Sequence, residues 1–355
     1  MGSIFARRPG RDNSRPPITI GSHLDTQPTG GKFDGVYGVL SGLEILRTLD
    51  DADYTTNAPL EVVSWTNEEG SRFTPPMLAS GVFAGAFERD FAYALEDCEG
   101  RKFGEELRHI GYRGRVKCGD HKLGAYFELH IEQGPVLEAE NQAIGVVTGV
   151  QSQSWYEITV TGRESHAGST PMPLRQDAMV VCARIVEATH EVALNHAPLA
   201  VSTVGLVEVR PNSRNVIPGS VFFTVDLRHP EDAVLRRMEE EFRAAVDWAA
   251  GDMGLKVTVV NNWSSPSVKF DEACLGAVRT AAGDLGYRHR DIVSGAGHDA
   301  VCISWVAPAA MIFIPCEHGI SHSEEEKTEP EHITAGANVL LVAVMAHDNA
   351  LRDRA

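Results

Sequence analysis

"PITIGSHLDTQPTGGKFDGVYGVLSGLEILRTL", residues 17–49, reads in three parts. "PITIGSH" is a short β-branched run that stops at a histidine. "VYGVLSGLEILRTL" has helical spacing of its apolar residues. The polar, glycine-rich stretch between them carries Asp25 and Asp34. Strand, loop and helix in that order form the repeating unit of an α/β sheet. "LEVVSWT" (60–66), "AYFELHI" (125–131) and "AAMIFIP" (309–315) supply further strands. Strands alternating with helices predict an α/β domain with a central, mostly parallel sheet, where ligands gather beyond the carboxyl ends of the strands. His23, the pair Glu68–Glu69, His130 and the stretch after Ile314 all fall at or just past such ends. The question is whether His23, Asp25 and Asp34 form a solvated turn or one wall of a metal site.

The middle of the chain reads differently. "WYEITVTG" is a strand, "LRQDAMVVCARIVEATHEVAL" (174–194) a long amphipathic helix, and "VSTVGLVEV" and "VFFTVDLRH" two strands joined by the turn-rich "RPNSRNVIPGS". "EDAVLRRMEEEFRAAVDWAA" is a second helix and "LKVTVV" a last strand. This β-α-β-β-α-β order is the ferredoxin-like unit. It predicts a self-contained domain at 151–262, inserted into a first domain made of 1–150 and 263–355.

Bulk properties narrow the function. A chain of 355 residues fits two domains, and 43% hydrophobic with 23% charged residues is the composition of a globular protein. A net charge of −17 argues against nucleic acid or an anionic membrane as partner and leaves a small metabolite as the expected ligand. If that metabolite is anionic, a few placed arginines must overcome the global field. The six cysteines (Cys98, Cys118, Cys182, Cys274, Cys302, Cys316) form no C-x-x-C pair and read as reduced thiols of a cytoplasmic protein. No apolar run reaches transmembrane length and no signal peptide is visible; "MGSIFA" has Ala6 where a myristoylation signal needs Ser or Thr.

Five groups offer metal donors: His23, Asp34, Glu69, His130 and His322. A single histidine near a strand end is ordinarily a hydrogen-bonded surface residue, and a Glu-Glu pair ordinarily a solvated face. Joint placement changes that reading, because strand ends of one sheet bring distant parts of a chain together. The acidic run Glu324–Glu326 reads as solvated loop.

These stretches, over nearly the whole chain, resemble the carbamoylase branch of the two-metal amidohydrolase and metallopeptidase superfamily. That branch holds N-carbamoyl-L-amino-acid hydrolases, metal-dependent β-ureidopropionases and allantoate amidohydrolases. The resemblance implies that His23 and His130 bind one metal, Glu69 and His322 the other, and Asp34 bridges both. His130 in "HIEQG" stands where the aminoacylase and peptidase branches usually carry an acid. Asp25, on the same strand face as His23, is expected to orient its imidazole. Glu68 matches the general base, and His166 in "GRESHAGSTPM" and His298 in "SGAGHDA" the oxyanion donors. Asn215 and Arg228 match the pair that binds a substrate carboxylate, and Gln133 a substrate-contacting glutamine; Arg210 and Arg214 are poorer candidates. Without the resemblance, His166 would read as a turn residue.

Two divalent ions are implied, with zinc foremost and manganese, cobalt or nickel also suited to mixed nitrogen and oxygen donors. A cis peptide between Asp34 and Gly35 is expected, as is a homodimer in which the inserted domain acts as a lid and His166, Asn215 and Arg228 act in trans. Relatives carry several tens of residues ahead of "GSIFARRPG", so the chain is expected to be shorter at its start, without loss of a metal ligand. The implied activity is hydrolysis of an N-carbamoyl amino acid, with N-carbamoyl-β-alanine and N-carbamoyl-L-α-amino acids as substrates and allantoate third. An aminoacylase or peptidase on the same fold, and a binding protein with a relic site, are the rivals. His130 opposes the first, and the presence of all five donors with Glu68 opposes the second. No Glu-Lys-Cys context supports a cysteine nucleophile.

Overall fold

The computed structural model describes residues 1–352 and divides into two compact units. One consists of Met1–Val150 and the chain from Lys269 onward, the other of Gln151–Val268.

The sheet of the first unit runs, edge inward, Ile4–Arg8, Leu60–Trp65, Ile18–His23, Ala125–Ile131, Ala309–Ile314 and Ile144–Val150. The four strands from Leu60–Trp65 to Ala309–Ile314 are parallel to one another. Ile4–Arg8 and Ile144–Val150 join them antiparallel. Ile18–His23, Ala125–Ile131 and Ala309–Ile314 are buried at every residue, so they show no alternation of apolar and exposed polar positions. Helix Val36–Asp51 packs on Ile18–His23, and helices Glu272–Asp284 and Pro330–Arg352 pack on each other. Parallel strands share a direction, so His23, Trp65, Ile131 and Ile314 finish along one edge of the sheet.

The second unit has an antiparallel sheet in the order Lys256–Ser265, Ser152–Thr161, Ser220–His229, with Val201–Thr203 and Val207–Arg210 both on the outer side of Ser220–His229. This is the ferredoxin-like arrangement with its second strand broken around Gly205. Ser220–His229 alternates half-buried and buried along its length. Val221, Phe223, Val225 and Leu227 face inward with Ile158 and Val160 against Val181 and Ile185 of one helix and Met238 and Phe242 of the other. Each such phenylalanine contributes about 1.5–3 kcal/mol by burial. The first helix starts at Ala178, later than the apolar spacing suggests, because the Asp177 carboxylate accepts the Met179 N–H at 3.0 Å and caps it.

Candidate metal centre

His23 closes its strand, and its Nδ1 lies 2.8 Å from the backbone oxygen of Asp25. A carbonyl only accepts, so Nδ1 carries a proton, and in the neutral ring, the form that can bind an ion, Nε2 is left with a lone pair. The same holds for His130, whose Nδ1 donates to the Ile131 carbonyl at 2.9 Å. Both Nε2 atoms point at one carboxylate oxygen: Asp34 Oδ1 is 3.5 Å from His23 Nε2 and 3.0 Å from His130 Nε2, which also lies 3.2 Å from the Gly35 N–H. The other oxygen, Oδ2, is 3.1 Å from His322 Nε2, which lies 3.5 Å from Glu69 Oε2. Two donor sets result, His23–Asp34–His130 and Asp34–Glu69–His322, each with its atoms within 4.8 Å of one another, and they share Asp34.

These donors fit two divalent ions. Their nitrogen and oxygen chemistry suits such metals. Among the described residues, the buried Glu69 Oε1 has no hydrogen-bond partner, and an orphaned carboxylate oxygen calls for a cation. Gly35 makes the close approach possible: its φ is +67°, and a Cβ there would fall 2.4 Å from the His23 ring. The expected cis bond after Asp34 is absent; the cis peptides are Thr74–Pro75, Ala197–Pro198 and Arg210–Pro211. The left-handed turn at Gly35 redirects the chain through a trans bond.

Burial disfavours a charged His23, yet the carboxylates of Glu68, Asp34 and Asp299 outweigh it and hold its pKa well above the ordinary value. Asp34 shows the converse: burial opposes its charge, but hydrogen bonds from His130, His23 and His322 hold it far below the usual carboxylate range. Glu68, with Oε2 3.6 Å from His23 Nε2, is pushed well up, by burial first and then by the negative charges of Asp299, Glu69 and Glu128. His298 is driven well below the ordinary histidine range by burial and by His130, whose ring centroid is 4.7 Å away. It is therefore neutral, with Nε2 3.0 Å from the Ser294 hydroxyl.

Loop residues hold this geometry. Asp25 takes a different part from the one expected: its backbone, not its carboxylate, contacts His23. The carboxylate instead accepts the backbone N–H groups of Glu68 at 3.2 Å and Glu69 at 3.1 Å. The extended strand ends at His23, so Asp25 no longer shares a face with it and turns toward the Glu68 loop. Gln133 Nε2 lies 3.0 Å from Asp34 Oδ2 and 3.3 Å from His322 Nε2, which places it on the donor cluster itself. Asn67, Gln133 and His322 all have positive φ, at about 1–2 kcal/mol each, and cluster at this one site.

Several residues escaped the sequence reading. Gln27 Nε2 donates to Glu69 Oε2 at 2.7 Å. Glu326 corrects the reading of its acidic run: Glu324 and Glu325 are exposed, but Glu326 is 2% exposed and accepts backbone N–H groups from the Asp34 loop. Three consecutive glutamates carry no pattern that singles out the third. Glu128 did leave a signal, being a charge in the middle of "AYFELHI". It is fully buried and satisfied by Ser22 Oγ at 2.8 Å and the Ala300 N–H at 2.9 Å.

In the second unit, His166 is exposed and pairs with Val216 across a short two-stranded ladder, beside Asn215. His166 Nδ1 accepts N–H from Gly168 at 3.0 Å and Ser169 at 3.2 Å, so in the neutral ring Nε2 carries the proton and is a donor. Arg228 lies elsewhere. His166 and Asn215 stand beyond the Ser220 end of the Ser220–His229 strand, while Arg228 is near its other end, about 26 Å along at 3.3 Å per residue. The expectation that all three reach one substrate from one copy of this unit fails on that separation. The Arg228 fork is engaged by Asp226 on the same strand, at 2.6 Å from Nη2.

The chain is similar to known proteins over most of its length. The profile of Peptidase family M20/M25/M40 matches residues 19–346. An N-carbamoyl-L-amino-acid amidohydrolase of Rhizobium meliloti is 51% identical over 345 residues, covering 97% of this chain and 83% of its own. A more distant relative, an allantoate amidohydrolase of Bacillus subtilis, is 34% identical over 345 residues, covering 96% and 83%. The crystal structure of a hydantoinase/carbamoylase-family amidase from Burkholderia multivorans superposes with a TM-score of 0.94 at 56% identity, covering 97% of this chain and 84% of that one. The shared fold, the two donor sets that meet at Asp34 and these matches together place the chain in the M20 peptidase family, on its carbamoylase amidohydrolase branch.

Proposed function

We propose that the protein hydrolyses N-carbamoyl-L-α-amino acids to the amino acid, ammonia and carbon dioxide. The carrying observation is the pair of donor sets sharing Asp34, with Glu68 poised beside them as a carboxylate outside either set. His23 and His130 with Asp34 would hold one divalent ion, and Glu69 and His322 with Asp34 the other. When bound, the two ions lower the pKa of a water and polarise the substrate carbonyl. Glu68 accepts that water's proton on a carboxylate that burial already inclines to protonation, then delivers it to the leaving nitrogen. In sum, water adds its oxygen to the ureido carbon, both C–N bonds of that carbon break, and its remaining atoms leave as carbon dioxide.

The oxyanion needs hydrogen-bond donors placed in advance. His298 and His166 take this role; the Gly168 and Ser169 N–H groups direct a proton to Nε2 of His166. Arg228, a planar fork, binds the substrate carboxylate, and Asn215 assists. The separation along the strand favours a homodimer in which His166 and Asn215 serve the partner's centre while Arg228 serves its own chain's. The second unit acts as a lid, and Gln133 adjusts between Asp34 and substrate. Zinc is the first choice of metal, with manganese, cobalt and nickel next. A cytoplasmic location accords with six free cysteines.

The test is a substrate panel. Metal-reconstituted protein is assayed for ammonia and amino-acid release from N-carbamoyl-L-α-amino acids, N-carbamoyl-β-alanine, allantoate and N-acetyl amino acids. The first class is expected to turn over fastest and the acetylated compounds to be inert. Turnover of acetylated but not carbamoylated substrates would replace this reading with an aminoacylase.

A further inference from the structure

Glu326 lies four residues beyond His322, in a loop whose composition suggests nothing but solvent. Its side chain is nevertheless enclosed and accepts three hydrogen bonds. Oε1 takes the consecutive N–H groups of Phe33 at 2.9 Å and Asp34 at 3.1 Å, and Oε2 takes the Ser321 hydroxyl at 2.8 Å. That hydroxyl is also 3.3 Å from Asp34 Oδ2 and from Gln133 Nε2. One carboxylate thus ties the backbone beneath Asp34 to the loop that carries His322. Room for it is made at Gly31, where a Cβ would fall 2.1 Å from Glu326 Cδ.

The two donor sets depend on this tie unequally. His23 and His130 are held by strands and by their own Nδ1 hydrogen bonds. Asp34, Glu69 and His322 come from three separate loops, and the His322 side chain is 48% exposed. Donors on loops bind an ion well only if something else holds the loops in register.

We propose that Glu326 is a positioning residue of the two-ion centre, fixing Asp34 against His322 so that one carboxylate serves both donor sets. The proposal rests on the two-ion reading given above. Glu326 touches neither the substrate nor an ion; it acts through Asp34 and Ser321.

The experiment titrates Zn2+ into the chelator-stripped full chain against a fluorescent competitor, and records the melting temperature of each stripped variant. Wild type should take up two ions. Glu326→Ala and Gly31→Ala should lose about 10–100-fold in affinity for one of the two ions, the range typical of lost outer partners, and keep the other nearly unchanged. Ser321→Ala should weaken the same ion to a smaller degree. Glu326→Gln keeps an acceptor for both N–H groups and should recover most of the loss. A residue that merely staples a loop would lower the melting temperature of the stripped protein and leave both affinities at wild-type values; that result overturns the proposal. If Glu326→Ala does not fold, Gly31→Ala and Ser321→Ala decide, and wild-type affinity for both ions in these two overturns it equally. A wild-type chain that takes up fewer than two ions overturns the two-ion reading instead, so the two failures are distinguishable.

Discussion

The donor cluster of the first unit and the His166–Asn215–Arg228 set of the second are built on opposite terms. In the first, His23, Asp34 and His130 are each 3% exposed or less, and the hydrogen bonds at both Nδ1 atoms fix which nitrogen faces inward. In the second, His166 and Asn215 stand on an exposed two-residue ladder, and Arg228 is held by an aspartate of its own strand. Donors ordered before an ion arrives spare the binding energy that would otherwise go into assembling converging ligands. Residues that grip a substrate must instead leave a way in. Burial and pre-ordering mark the His23–Asp34–His130 donor set, and exposure marks His166 and Asn215.

The largest effect should come from the buried side. Glu68→Gln preserves size and both donor sets but removes the proton acceptor. We expect kcat to fall about 10²–10⁴-fold with metal content unchanged, by steady-state kinetics and metal analysis. Glu69→Ala should lose metal as well. Near-normal turnover in Glu68→Gln would break the comparison, since the chemistry would then lie outside the buried cluster.

On the exposed side, His166→Ala should cost about 10²–10³-fold in kcat while leaving metal content and melting temperature at wild-type values. Subunit mixing sharpens the contrast. A dimer of one Glu68→Gln chain and one His166→Ala chain regains a complete site only if His166 serves its partner. Random reassortment should then restore about a quarter of wild-type activity. No recovery after proven exchange would assign His166 to its own chain.

The smallest effect is expected at Arg228. Arg228→Lys keeps the charge and loses the fork, so KM should rise about tenfold with kcat changed less. An unchanged KM would mean that Asp226 keeps Arg228 occupied and that another cation receives the substrate.

Much of the centre is legible in the sequence. The runs ending at His23 and Ile131, and the one before Glu68–Glu69, announced strands by being short and rich in β-branched and apolar residues, and the helical spacing between them pointed to a parallel sheet. Parallel strands must release their chains on the same side. That rule alone brought His23, Glu69, His130 and the stretch after Ile314 to one edge. The second unit was equally readable, because alternation in "VFFTVDLRH" and helical spacing on either side of it are local properties. What composition could not express are contacts between loops far apart in the chain. Glu326 under Asp34, Gln133 on Asp34 and Asp25 on the Glu68 loop each depend on where two irregular segments meet, and no periodicity governs that. The distance between His166 and Arg228 was hidden for a related reason: both stand near strands of one sheet, and only the strand register shows that they occupy opposite ends. Periodicity records which face of an element is buried, so the sequence by itself determined the elements, the sheet and the edge at which donors gather. Hydrogen bonds between loops are set by the tertiary structure, which alone decided how those donors are oriented and which residues hold them.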